Sequence, residues 1–215
     1  MSDVGGPVVI AIEANIGAGK TTLINKLKSE LELHEGLRNR ITVMEEPVDD
    51  WVAKGFLEAM YENSDNAWLQ STFQHMVLMS LTGKLLGALA RKPPPAVIIM
   101  ERSPFSNYHI FGRANLSGLP LDMYRHTWEH IMCGMPSTLV VKYVYLRTDV
   151  DTLLRRMTAR GRMAEANVAR TYLEKLHRHH EEFIQNSNSV VIDGNSKEEE
   201  VFHAFLSCVK EHMKI

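Results

Sequence analysis

The sequence predicts an α/β fold: a five-stranded parallel sheet with helices on both faces. Three observations carry this. Short apolar runs alternate with longer segments of helical periodicity along the chain. The first run, residues 8–12 (VVIAI), breaks directly into a glycine turn ending Gly19-Lys20-Thr21-Thr22. The length, 215 residues at 45% hydrophobic and 23% charged, suits one sizeable core and is short for two. Residues 1–215 are therefore read as a single domain.

Taken in order, residues 8–12 form a buried strand. Leu23, Ile24, Leu27 and Leu31 then recur at helical spacing, so a helix follows the turn. Residues 41–45 are a second strand, stopped at Pro47. Residues 51–61 and 67–90 read as helices, the second apolar on more than one face, and Pro93-Pro94-Pro95 ends that region. Residues 96–100 are a third strand, closing on Glu101-Arg102-Ser103. Short helices follow near 105–111 and 121–132, separated by a Gly/Pro turn at 118–120. Residues 139–146 are a fourth strand, 150–158 a helix, 168–186 a helix, 190–192 a fifth strand and 198–213 a closing helix. A ligand on such a sheet lies at the carboxyl ends of its strands.

Strand, glycine turn, Lys-Thr and helix together make the context of a phosphate-binding loop. Backbone N–H groups of Asn15, Ile16, Gly17, Ala18 and Gly19 would curl around a polyphosphate. Lys20 would reach its outer phosphates, and Thr21, next to Thr22, would offer a hydroxyl to Mg²⁺. Ala14 stands where the G-x-x-x-x-G-K-[ST] pattern has its first glycine, which alanine tolerates only at negative φ. A nucleoside triphosphate is the expected ligand of the loop.

Two carboxylates end strands beside that loop. Glu101 stands where a phosphate-loop enzyme keeps its Mg²⁺-orienting acid. Glu46 can accept a hydrogen bond from an alcohol but repels an acceptor already carrying a phosphate. This favours a nucleoside over a nucleoside monophosphate as the substrate. The segment 155–162 (RRMTARGR) packs four arginines at a helix end. These serve either the negative helix terminus or a lid that neutralises charge on a transferring phosphoryl group, with Gly161 as hinge.

The strings IEANIGAGKTT, EPVDDW, AMY, FQ, ERSPFS and YLRT…RGR…YLEKLH occur in the order found in deoxynucleoside kinases. Across residues 8–193 the chain resembles the group of deoxycytidine, deoxyguanosine, mitochondrial thymidine and insect multisubstrate kinases. The resemblance implies a P-loop kinase fold with an arginine-rich lid at about 156–168. It also implies transfer of the γ-phosphate of ATP to the 5′-hydroxyl of a deoxyribonucleoside. On matching positions Glu46 would be the base and Arg102 would hold both Glu46 and the moving phosphate. Gln74 would read the nucleoside base and Phe111 would stack on it, within a pocket walled by Ile16, Trp51, Met60 and Phe73. Tyr61 and Glu165 would bind the 3′-hydroxyl; Arg156, Arg160 and Arg162 match the lid arginines. A homodimer with a helical interface is implied too.

The chain departs from its relatives in places. The segment 61–74 looks two residues longer, which would displace Tyr61. Leu81 and Asn107 stand where relatives favouring deoxycytidine and purines carry an Arg–Asp pair. A pocket without that pair favours pyrimidines including thymidine.

Other functions are weighed against this reading. A net charge of −2 leaves no basic surplus for general nucleic-acid binding. No N-K-x-D string points to a guanine-reading switch, although a regulatory P-loop ATPase remains a rival class. His126-Thr127-Trp128-Glu129-His130 matches a zinc-protease string, but a chain with ten histidines meets it easily by chance and no third ligand is evident, so it is set aside as a metal site. Two cysteines at no metal or redox spacing, no apolar or Arg-rich leader and no run of membrane length predict a cytoplasmic enzyme without membrane partners.

Overall fold

A computed structural model describes residues 6–213. Residues 1–5 and 214–215, the ends of the single-domain reading and the stretch read for a leader, lie outside the described residues. Five strands form one sheet: β1 (Val8–Glu13), β2 (Ile41–Met44), β3 (Val97–Glu101), β4 (Val140–Arg147) and β5 (Ser189–Asp193). Their order is β2-β3-β1-β4-β5, and every pairing is parallel. β1 is central because its residues 9–12 are apolar on both faces and wholly buried, as a strand covered by helices on each side requires. Ile10 and Ile12 face one core with Ile24 and Leu27 of the following helix. Val9 faces the other with Leu85, Ala88 and Ile98.

The helices in chain order are α1 (Lys20–Leu33), α2 (Glu35–Arg38), α3 (Val48–Ala53), α4 (Phe56–Glu62), α5 (Ala67–Leu89), α6 (Pro104–Asn107), α7 (Arg113–Asn115), α8 (Gly118–Cys133), α9 (Val150–Arg160), α10 (Arg170–Gln185) and α11 (Glu198–Met213). A π-helical turn, Tyr108–Gly112, joins α6 to α7, and a 3₁₀ turn, Met163–Glu165, follows α9. Among the described residues no helix is long and apolar enough to cross a membrane.

Three differences from the sequence reading bear on the site. The single helix read over 51–61 is two, because Gly55 adopts φ 71° and starts α4 on a new axis. The Gly/Pro turn at 118–120 is the first turn of α8, where proline's missing N–H would have no intrahelical partner anyway. The lid arginines Arg156 and Arg160 lie on α9, which runs to Arg160 and is capped by Gly161, so the non-helical part of the lid begins at Gly161. β1, β2 and β3 end on the same side of the sheet, and Glu13, Glu46 and Glu101 sit at or just beyond those ends.

Candidate active site

The turn after β1 is built to bring backbone close to a ligand. Gly17 has φ 79° and Gly19, the residue before α1, has φ 102°, conformations open to glycine at little cost. At Gly17 a Cβ would also meet Met157 Cγ at 2.8 Å and the Leu153 carbonyl oxygen at 3.1 Å, so α9 packs directly on the loop. Ala14 is not among the residues with positive φ, which is the condition its side chain sets. Lys20 folds back over the loop, its Nζ donating to the Ala14 carbonyl at 2.9 Å and the Asn15 carbonyl at 3.0 Å. Burial first, then Arg102, lowers the Lys20 ammonium to about 8. An anion in the loop would oppose both effects.

Beside the loop, Thr21 Oγ1 donates to Glu101 Oε1 at 2.9 Å, and Glu101 Oε2 lies 3.4 Å from the Glu46 backbone N–H. A hydroxyl and a carboxylate in contact at the phosphate end form a hard-oxygen pair that fits Mg²⁺, which is held by one or two protein oxygens while phosphates and water complete its shell.

Arg102 follows Glu101 with φ 60°, and among the described residues it is the non-glycine residue with positive φ. That left-handed conformation costs about 1–2 kcal/mol. It turns the guanidinium into the site: its carbon sits 3.8 Å from the Phe111 ring centroid, and Nη1 lies 3.2 Å from Glu46 Oε1. This last contact is an ion pair without hydrogen-bond alignment, since Glu46 Oε1 and Arg102 Nε both lack a hydrogen-bonding partner. Burial raises the Glu46 carboxyl, and Arg102 pulls it back down.

These groups share one cavity of about 430 Å³. Its phosphate end is lined by Ile16, Gly17, Ala18, Gly19, Lys20, Thr21, Thr22 and Glu101. Its other end is lined by Glu46, Trp51, Met60, Tyr61, Phe73, Gln74, Arg102 and Phe111. Arg156, Arg160, Arg162 and Glu165 close the side between them. Trp51 and Phe73 meet edge to face at 5.5 Å, and Gln74 Oε1 is buried with no hydrogen-bond partner among the described residues. A buried free amide facing a cavity is arranged to bond a ligand's polar edge. On the lid, Glu165 accepts from both Arg160 and Arg162, the latter at 3.0 Å, and Arg162 also reaches Asp49 of α3 at 3.3 Å. Arg156 donates to the Ala18 carbonyl at 3.2 Å, tying α9 to the loop.

The family described as "Deoxynucleoside kinase" matches residues 10–214. The chain belongs to the deoxynucleoside kinase family. It is a phosphotransferase of that family, with ATP the donor the family implies. It is 31% identical over 203 residues to the thymidine kinase of Ictalurid herpesvirus 1 (strain Auburn), covering 90% of this chain and 82% of the relative. It is 32% identical over 183 residues to a probable deoxycytidine kinase of Fowlpox virus (strain NVSL), covering 83% and 72%. Against the deoxycytidine kinase of Homo sapiens the identity is 29% over 250 residues, covering 95% and 90%.

Within this deoxynucleoside kinase, three residues singled out from the sequence lie off the cavity. Asn15 is buried beneath the loop, donating to the Leu173 carbonyl and accepting from the Ile16 N–H. Leu81 belongs to the apolar cluster with Trp51, Phe73 and Val77, behind the wall and not on it. Asn107 turns away, donating to the Tyr124 hydroxyl at 2.9 Å. Tyr61 lines the cavity. The turn between α4 and α5 is held by Gln70, whose amide donates to the Met60 and Asn63 carbonyls. Burial above all keeps the Tyr61 phenol neutral, with its pKa raised well above the ordinary value.

The kinase site also holds residues that sequence reasoning missed. Val48, Leu57, Val77 and Tyr172 line the acceptor end; Lys26, Gly194, Ser196, Glu198 and Val201 line the end beyond the loop. Tyr172 stood inside the YLEKLH string, and its hydroxyl donates to Asn115 at 3.0 Å. Asp193 itself bonds Asn195, leaving Gly194 and Ser196 on the cavity.

Proposed function

We propose that this chain transfers the γ-phosphoryl group of ATP to the 5′-hydroxyl of a deoxyribonucleoside in nucleotide salvage, preferring pyrimidines and accepting thymidine. The observation that carries the reading is Glu46, a buried carboxylate ion-paired to Arg102 on the wall of the same cavity that the glycine loop lines. A buried carboxylate there suits an uncharged alcohol and disfavours a phosphate. Arg102 opposes the effect of burial on it and so favours the charged form that accepts a proton.

In this reading the loop N–H groups and Lys20 hold the donor phosphates. Thr21 and Glu101 would hold Mg²⁺, which would supply charge neutralisation for the donor phosphates. Glu46 orients the 5′-hydroxyl and takes its proton late, as a loose transition state permits. Arg102, Arg156, Arg160 and Arg162 balance charge on the moving group. Glu165 and Tyr61 bind the 3′-hydroxyl. Gln74 offers adjacent donor and acceptor to the nucleoside base, and Phe111 stacks on it. The Asn107 amide is occupied by Tyr124 and Leu81 is apolar, so these two positions supply no ion pair. The named substrates of the viral and human relatives, thymidine and deoxycytidine, are both pyrimidine nucleosides.

The chain is read as one domain, cytoplasmic and homodimeric. Exposed Met79 and Leu86 on α5, with Leu119 and Met123 on α8, supply apolar surface for a helical interface. Sedimentation velocity checks the dimer. The function is tested by steady-state phosphorylation of the four deoxynucleosides and thymidylate with ATP. Preference for thymidine and deoxycytidine is expected; a purine preference overturns the base assignment, and a thymidylate preference overturns the acceptor class.

A further inference from the structure

We propose that Glu13 is a positioning residue that sets Arg102, acting through Ser103 and Ser106. This rests on the role given to Arg102 above. Glu13 is the last residue of β1, 1% exposed, and does not line the cavity. Its Oε1 accepts from Ser103 Oγ at 3.1 Å and from Ser106 Oγ, while Oε2 has no partner. Both serines are themselves buried, and Ser103 caps α6 by accepting the Ser106 N–H at 3.3 Å. An ionisable side chain inside a core is costly unless it is bonded. These two hydroxyls are its hydrogen-bonding partners among the described residues.

The consequence falls on the residue between Glu101 and Ser103. Arg102 must hold a left-handed backbone that arginine does not favour, and such a conformation persists only when its surroundings fix it. On one side Glu101 is fixed by Thr21 and by the Glu46 N–H. Arg102's own N–H donates to the Ile12 carbonyl at 3.1 Å. On the other side, Ser103 and the start of α6 are fixed by Glu13. One strand end, Ile12-Glu13, therefore grips the backbone at residue 102 and just after it, and the next residues of that strand are the phosphate loop. Glu13 thus fixes the acceptor-side arginine relative to the donor loop.

The test combines Glu13→Ala, Glu13→Gln and the double variant Ser103→Ala/Ser106→Ala, each also in an Arg102→Ala background. A misplacement of the guanidinium should lower kcat about 10- to 100-fold in Glu13→Ala, with ATP affinity, read by a fluorescent ATP analogue, changed less than about threefold. Glu13→Gln keeps an acceptor oxygen for both hydroxyls and should restore most of the rate. The serine double variant should match Glu13→Ala and serves in its place if that variant does not fold. With Arg102→Ala already present, removing Glu13 should cost nothing more, because the group it positions is gone. An equal further loss there, or loss of ATP binding in step with kcat, overturns the assignment. Wild-type turnover of thymidine, measured alongside, reports on the functional reading independently. If wild type is active and Glu13→Ala equals it, the Glu13 assignment alone fails.

Discussion

Arg102 Nη1 stands 3.2 Å from Oε1 of Glu46, and the two side chains are 14% and 3% exposed. In so dry a setting the arginine is the main influence holding the carboxylate in its charged form, against burial and the nearby charge of Glu101. Removing the guanidinium should therefore raise the Glu46 pKa further. With Glu46 as the base, the acid limb of kcat/KM should move to higher pH in Arg102→Ala than in wild type. A pH–rate profile of both proteins checks this, and an unmoved limb would show that another group sets it.

Glu46→Gln keeps the shape of the side chain and removes its basicity. A fall in kcat of roughly 10²–10⁴ is expected, with a smaller change in nucleoside KM. Unchanged kcat at saturating substrates would remove Glu46 from the role of base.

Glu165 is held between Arg160 and Arg162 and faces the cavity. Glu165→Gln should raise the KM for thymidine about tenfold, as expected for loss of a charge-assisted hydrogen bond to the 3′-hydroxyl. With 3′-deoxythymidine, which lacks that hydroxyl, the variant and wild type should differ little. A similar penalty on both nucleosides would mean that Glu165 serves the lid alone.

Gly17→Ala combines a positive φ with a Cβ placed against Met157 and a backbone carbonyl of α9. A loss of about 1–3 kcal/mol is expected, seen as a lower Tm without any ligand. Gly19→Ala has the strained φ but open space, and should lower Tm less.

Burial raises the Glu13 carboxyl to about 7, against the pull of Ser106, Arg102, Ser103 and Lys20. Between the ordinary carboxylate value and about 7 the native state keeps a proton that the unfolded chain releases. The contribution of Glu13 to stability is therefore present in acid and is lost as pH rises through that window. Glu13→Gln should gain Tm relative to wild type at pH 8 compared with pH 5. A gap independent of pH would place the ionisation elsewhere.

Much of this arrangement was legible in the sequence, for identifiable reasons. Lys20, Glu46 and Glu101-Arg102 follow apolar runs, and a parallel sheet gathers strand ends on one side, so their convergence needs only the fold class. Gln74 and Tyr61 sit on helices with nothing local to mark them, and only the family resemblance distinguished them. The break at Gly55 was hidden because apolar spacing continues through it. The π-helical turn that carries Phe111 has no local sequence signature, although such turns recur at functional sites. Leu81 and Asn107 align with pocket residues yet lie behind the wall, because side-chain direction depends on packing against Phe73 and Tyr124. Glu13 carries no local mark in the sequence; its burial against Ser103 and Ser106 comes from α6, far along the chain.

The central claim is that a triphosphate tail and an uncharged sugar alcohol meet in one cavity, end to end. ATP labelled at its γ-phosphate, incubated with thymidine and separately with 5′-deoxythymidine, tests it most directly. Label should appear on the 5′-oxygen of thymidine, and the analogue without that oxygen should receive none. Label released as free phosphate at the same rate with or without either nucleoside would contradict the account.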